Sequence, residues 1–225
     1  MKNIIITAGG TSEKIDNVRK ITNSSTGKLG CLIANEILKH HDDIKIFYVC
    51  SKESFRPNDS RVDVIEVGGV LNLKENVEEL LINNHIDIFI HSMAVSDYMV
   101  DYVTNLESIS SGNIKFFQSS KISSNEQDLV IVLKPTPKII SLIKNISKET
   151  YLVGFKLLDN VSQEELIDVA KNLRDKNNCD LVIANDLNNI RNGIHKAFII
   201  DKDDFIEVAT GKEDIAKKLV RRCIK

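Results

Sequence analysis

The chain has 225 residues, 42% of them hydrophobic and 28% charged, and a net charge of −2. That length allows one large α/β domain or two small ones with a real core, and the near-neutral balance gives no overall pull toward nucleic acid or an anionic membrane. No apolar run approaches the roughly 20 residues of a bilayer span, and only three prolines, with no low-complexity stretch, argue against a long disordered linker.

Ile4-Ile5-Ile6-Thr7 is a β-branched run ending at Gly9-Gly10, a buried strand feeding a loop. Leu29, Leu32, Ile33, Ile37 and Leu38 then recur at helical spacing. Strands are predicted at Ile44 to Val49, more weakly at Val62 to Val67, and at Ile86 to Ile90. A helix over Asn72 to Asn83 stands before the last of these, with Leu73, Val77, Leu80 and Leu81 on one face. The second half continues the alternation. A strand at Leu129 to Leu133 leads through Pro135-Thr136-Pro137 into a helix with Ile139, Ile140 and Ile143 facing the core, Pro137 suiting its first turn. Tyr151 to Phe155, Leu181 to Ala184 and Ala197 to Ile200 read as further strands. Ser162 and Glu165 form a capping box, and a last helix runs from about Gly211 to Cys223. Alternating apolar strands and amphipathic helices predict a mostly parallel sheet with helices on both faces, a Rossmann-like α/β fold in a single domain over 1–225.

Residues 99–127 break this rhythm. Rich in Ser, Asn and Lys, they are expected to form an irregular excursion, a flap or dimerisation arm. The four cysteines, Cys31, Cys50, Cys179 and Cys223, are widely spaced with no CxxC pair, and the apolar run of MKNIIITAGG is too short for a signal peptide. Free thiols in the cytoplasm are the expectation.

Open parallel sheets bind ligands at the carboxyl ends of their strands. That rule selects Ala8 to Lys28, Ser92 to Asp97, Lys134 to Lys138, Gly154 to Lys156 and Asn185-Asp186. In the first loop, Gly9-Gly10 allows close backbone approach and Arg19 offers a fork for phosphate or carboxylate. Asn23 to Lys28 enters a helix N-terminus, an anion site or simply a capped helix. Neither GxGxxG nor a Walker A loop is present. Asp97 is either a magnesium or sugar contact or a turn aspartate. His91, at a strand end, reads as a hydrogen-bonded structural histidine. Lys121 is either a solvated loop lysine or a flap cation that closes over a triphosphate.

The stretch ITAGGTSEKIDNVRKITNSSTGKLG resembles the opening of the phosphopantothenoylcysteine synthetases, or phosphopantothenate–cysteine ligases. Further matches follow in order: HSMAVSDY at 91–98, KISS at 121–124, LKPTPKII at 133–140, VGFKLL at 153–158 and DLVIANDL at 180–187. The length looks like that of the stand-alone bacterial form, which is the expectation. The resemblance implies a two-step ligase of coenzyme A biosynthesis. The phosphopantothenate carboxylate attacks the α-phosphate of a nucleotide, CTP in most bacterial relatives and ATP in eukaryotic ones, and cysteine then displaces the nucleoside monophosphate. Magnesium is the implied cofactor, held mainly by the triphosphate with Asp97 as a candidate ligand.

Carried over by position, Asn23 handles the acyl-nucleotidylate, Arg19 contacts phosphopantothenate and Lys121 reaches the nucleotide from the flap. Ser92, Met93 and Asp97 fall where the family holds base and sugar. Thr136, Pro137, Lys138, Ile139 and Phe155 match nucleotide contacts, and Ala94 lies along the acyl portion. Two departures stand out. Only the first lysine of KISS carries over, and Leu173 and Asn177 occupy positions where the family supplies lysines, with Arg174 or Lys176 as substitutes. The resemblance also implies a homodimer sharing its active site. A nicotinamide oxidoreductase lacks its glycine fingerprint here, and a non-catalytic nucleotide or flavin sensor is the remaining alternative.

Overall fold

The computed structural model describes residues 1–117 and 121–224, so Gln118, Ser119 and Ser120 of the expected flap lie outside the described residues. In chain order the first half contains β1 (Lys2–Ala8), β2 (Ser12–Lys14), β3 (Lys20–Thr22), α1 (Lys28–His40), β4 (Ile44–Cys50), β5 (Val62–Glu66), α2 (Val70–Asn83), β6 (Ile88–His91), β7 (Tyr98–Asn105) and α3 (Leu106–Ser110). The second half contains β8 (Leu129–Pro135), α4 (Ile139–Ile146), β9 (Tyr151–Leu158), α5 (Gln163–Asn177), β10 (Leu181–Asp186), α6 (Leu187–Arg191), β11 (Lys196–Asp201), β12 (Ile206–Thr210) and α7 (Lys212–Cys223).

The main sheet has 8 strands in the order β12-β11-β10-β9-β6-β1-β4-β5. The run from β5 to β10 is parallel, whereas β11 and β12 are antiparallel additions. This is the expected mostly parallel α/β fold. Its cause lies in the strands themselves. β1 is apolar on both faces: Ile4 and Ile6 pack with α1 and α7, and Ile5 packs on the other side with α2, α4 and α5. Side chains alternate with period two along a strand, so a continuous apolar run demands cover on both faces. α2 supplies Val70, Leu73, Val77, Leu80 and Leu81 to one layer. Each such side chain contributes on the order of 1.5–3 kcal/mol before conformational entropy is set against it.

Four expectations are corrected. Residues 129–133 were expected in the main sheet, but β8 pairs antiparallel with β7 in a separate two-stranded ribbon. Its burial alternates between exposed and half-buried, which suits a ribbon open on one side and not a central parallel strand. The stretch 99–127 is accordingly less irregular than its composition implied. It holds most of β7 and all of α3, and the segment beyond α3 lies beside β7 through Phe117 N–H to Val103 O, 2.9 Å. The first loop also contains a hairpin, β2 with β3. Finally, α4 begins at Ile139 with Lys138 as its cap, so Pro137 precedes the helix and does not stand in its first turn.

Ser162 does cap α5, its hydroxyl accepting from Glu165 N–H at 3.1 Å. Among the described residues no helix is long and apolar enough to cross a membrane.

Candidate active site

Strand order reverses between β1 and β6, since β4 lies on one side of β1 and β6 on the other. A parallel sheet opens a crevice at such a point. The loops leaving these two strands are stitched together. Thr11 N–H donates to Ala94 O at 3.1 Å and Ala94 N–H donates to Gly9 O at 2.8 Å. Ser96 N–H reaches Thr11 Oγ1 at 2.8 Å, and the Ser92 hydroxyl donates to Thr7 O at 2.6 Å. His91 is buried against Thr7, with Nδ1 and Oγ1 2.8 Å apart, and burial pulls its pKa down to about 4. It is a neutral structural group at the base of the site.

Above this floor lies a cavity of about 670 Å³. The start of α1 forms one wall. Gly27 precedes it in the left-handed region at φ 69, with no side-chain cap. Gly30 brings the helix so close to β1 that an added Cβ would stand 2.7 Å from Ala8 Cβ. The first turn of α1, with no side-chain cap from Gly27 and with Lys28 N–H donating to Thr26 Oγ1 at 3.4 Å, borders the cavity beside Ser24, Ser25 and Thr26, as an anion site requires.

The rest of the lining carries residues expected from sequence. Ser92, Met93, Ala94 and Asp97 line the cavity together with Thr136, Pro137, Lys138, Ile139 and Phe155. Thr136 fastens the two stretches to each other: its N–H donates to Asp97 O at 3.0 Å and its hydroxyl to Ser96 O at 2.6 Å. Asp97 pairs with Lys138.

Three expected residues stand elsewhere. Asn23 sits at the rim, its side-chain amide donating to Ala94 O at 3.3 Å and its backbone N–H to Thr11 O at 3.2 Å. Arg19 and Lys121 are absent from the lining. Arg19 forks onto Asp16, and Lys121 is exposed beside Ile122. Of the two substitutes weighed for α5, Lys176 lines the cavity while Arg174 points away, donating to Asp201 O and Asp204 Oδ1, both at 2.6 Å.

The lining also holds Lys28, Lys156 and Lys212 beside Lys138 and Lys176, with Asp97 the one carboxylate among the described lining residues. Such a balance suits a polyanion. His195 joins the lining, its pKa lowered by burial and then by Lys212. Lys156 belongs to the Gly154 to Lys156 stretch that the strand-end rule selects, although the local pattern assigns it no role. Lys212 and His195 carry no local signal, because α7 reaches the cleft only through the antiparallel return of β11 and β12. An apolar sector of Ile140, Leu157, Leu173, Leu187 and Ile190 completes the lining. The lining thus offers apolar surface for a flat ring and cations for phosphates.

A magnesium ion binds through one or two carboxylates and substrate phosphates, keeping several waters. The single Asp97 carboxylate fits that mode, and no group of three or more His, Cys, Asp or Glu among the described residues could hold a metal without phosphate.

Comparison with known proteins agrees along the whole chain. The coenzyme A biosynthesis bifunctional protein CoaBC of Thermococcus kodakarensis is 34% identical over 98% of this chain and 47% of its own length. The chain spans about half the length of the curated relatives it matches. A solved DNA/pantothenate metabolism flavoprotein from Streptococcus pneumoniae superposes with a TM-score of 0.87 at 35% identity, covering 99% of this chain and 97% of that one. A Cab2 variant solved with phosphopantothenate-cysteine shares the fold, with a TM-score of 0.76 at 18% identity over 99% of this chain and 85% of that one. The family model for the DNA/pantothenate metabolism flavoprotein C-terminal domain matches residues 1–225, and the chain belongs to that family.

Proposed function

We propose that the chain is a phosphopantothenate–cysteine ligase that works through an acyl-nucleotidylate. The observation that carries this reading is one continuous cleft at the β1–β6 switch. It joins an uncapped helix N-terminus and several lysines to the loop 92–97, within a family whose relatives are named for coenzyme A biosynthesis.

A free carboxylate is a poor electrophile. In the first step the phosphopantothenate carboxylate oxygen attacks the nucleotide α-phosphorus and pyrophosphate leaves. In the second, the cysteine amine attacks the carbonyl carbon, the nucleoside monophosphate leaves with the former carboxylate oxygen, and the amine loses a proton. Neither step requires a protein nucleophile. The site's task is to hold the reactants and balance phosphate charge. Ser92, Met93, Asp97, Thr136, Pro137, Lys138, Ile139 and Phe155 hold the nucleotide, with the triphosphate toward the lysines and α1. Ala94 and Asn23, already hydrogen-bonded to each other, guide the acyl portion. Arg19 binds phosphopantothenate, and Lys121 approaches the nucleotide from the flap. Magnesium would be held mainly by the triphosphate, with Asp97 as the candidate protein ligand, and would supply neutralisation of phosphate charge. CTP is the preferred nucleotide.

The working form is a cytoplasmic homodimer with a shared site. The β7–β8 ribbon exposes Tyr98, Leu129, Ile131 and Leu133, a surface suited to a second copy, and Arg19 and Lys121 lie outside the cleft of their own chain. A monomer retaining full activity at nanomolar concentration would remove the dimer.

The test is pyrophosphate release from Mg·CTP and Mg·ATP, with phosphopantothenate present and cysteine added or withheld. Release that depends on phosphopantothenate, with amide formed only after cysteine, supports the ligase. A folded dimer that turns over neither nucleotide points instead to a nucleotide sensor.

A further inference from the structure

We propose that Asp16 is a positioning residue for this site: it clips the flap to the β2–β3 hairpin, so that Arg19 and Lys121 are held as one unit. The inference deepens the ligase reading and rests on it.

Asp16 lies in the turn between β2 and β3, its side chain only 1% exposed. Its two oxygens divide their work. Oδ1 accepts from the backbone N–H groups of Val18 at 2.8 Å and Arg19 at 2.7 Å, which shapes the turn. Oδ2 accepts from Arg19 Nε at 3.0 Å, Arg19 Nη2 at 2.6 Å and Ile122 N–H at 3.1 Å. Arg19 Nη2 also donates to Ile122 O at 2.6 Å. The backbone of Ile122 is therefore gripped at both its donor and its acceptor, and the residue is 2% exposed.

The turn alone would need only Oδ1. The second oxygen reaches more than a hundred residues along the chain, to the neighbour of Lys121. β3 then runs from this turn directly to Asn23. Arg19, Asn23 and Lys121 thus depend on one carboxylate, although none of the three lines the cavity wall. Only an ionised carboxylate can accept from all five donors. An asparagine of the same shape would present an N–H₂ to one of the two groups of donors.

The experiment uses the full chain with Asp16→Asn, Lys121→Gln and the double variant, and Asp16→Glu as the conservative comparison. Hydrogen exchange of the Ile122 amide and the kinetics of pyrophosphate release are read together. In Asp16→Asn the Ile122 amide should exchange about tenfold faster or more, while amides of the main sheet keep their protection. The kcat for pyrophosphate release should fall about tenfold to a hundredfold, as for an ångström-scale misplacement, with KM for the nucleotide much less changed. Asp16→Glu should restore part of both. Because Lys121 is one of the groups that Asp16 holds in place, the double variant should lose less than the product of the two single losses.

Independent, multiplying losses in the double variant would overturn the positioning role, and unchanged Ile122 exchange in Asp16→Asn would overturn the clip itself. Should Asp16→Asn not fold, Arg19→Lys reads the same clip from its other side and should show the same faster Ile122 exchange. Wild-type protein that releases no pyrophosphate would refute the ligase reading and the catalytic part of this proposal with it. The exchange result decides the clip in either case.

Discussion

Gly10 offers the sharpest test of how the rim of the site is built. It lies outside the positive-φ glycines, so an alanine there meets no backbone strain and its cost comes from space alone. The added Cβ would stand 2.2 Å from Asn23 O and 3.1 Å from Asn23 C. Asn23 would have to recede by about 1 Å, a displacement that can cost about a hundredfold in rate at a positioned group. Its side-chain bond to Ala94 O is already 3.3 Å long and would not survive that shift. Overpacking of this kind destabilises by about 1–3 kcal/mol. Gly10→Ala should therefore lower kcat for amide formation about a hundredfold and lower the midpoint of denaturant unfolding. Gly68→Ala, whose Cβ would meet nothing within 4 Å, serves as the control and should match wild type in both. Gly10→Ala with wild-type kcat and an unchanged midpoint would refute the claim that this glycine sets the place of Asn23.

Three further outcomes are expected. Asn23→Asp should still release pyrophosphate but accumulate acyl-nucleotidylate, seen by trapping in acid, and equal impairment of both half-reactions would count against its role. Lys121→Gln should slow pyrophosphate release about tenfold or more, so normal release in that variant removes the flap lysine from the mechanism. His91 is neutral in the fold, with a pKa near 4 against an ordinary 6.5, so its contribution to stability is complete above pH 6.5 and is lost as pH falls toward 4. Between pH 8 and pH 5 the loss amounts to about 2 kcal/mol. Urea unfolding of wild type and His91→Gln across that range should differ in slope, and parallel pH profiles would contradict the buried neutral state.

The main sheet was legible because its strands advertise themselves. Ile4 to Ile6 and Leu181 to Ala184 are apolar at every position, which only a strand covered on both faces can satisfy. The β7–β8 ribbon was not legible as a ribbon. Tyr98 to Asn105 mixes Asp101 and Thr104 with its apolar residues, and only pairing with Leu129–Pro135 makes it a strand. The hairpin β2–β3 was hidden for a similar reason, since its strands have three residues each and are set by the Asp16 turn and not by any periodicity.

The sequence by itself determined the α/β class, the loops at the carboxyl ends of the strands, and the run of residues from Ser92 to Phe155 that meets in the cleft. These follow from local pattern and from the rule that ligands gather where parallel strands end. Tertiary structure alone decided that Lys212 and His195 join the lining of the cavity, that Arg174 turns away to Asp204, and that Arg19 and Ile122 share a single carboxylate. The physical reason is distance along the chain. A helix face or strand period records neighbours a few residues apart, whereas a hydrogen bond across a hundred residues, such as that from Ile122 N–H to Asp16, exists only once the fold has brought both ends together.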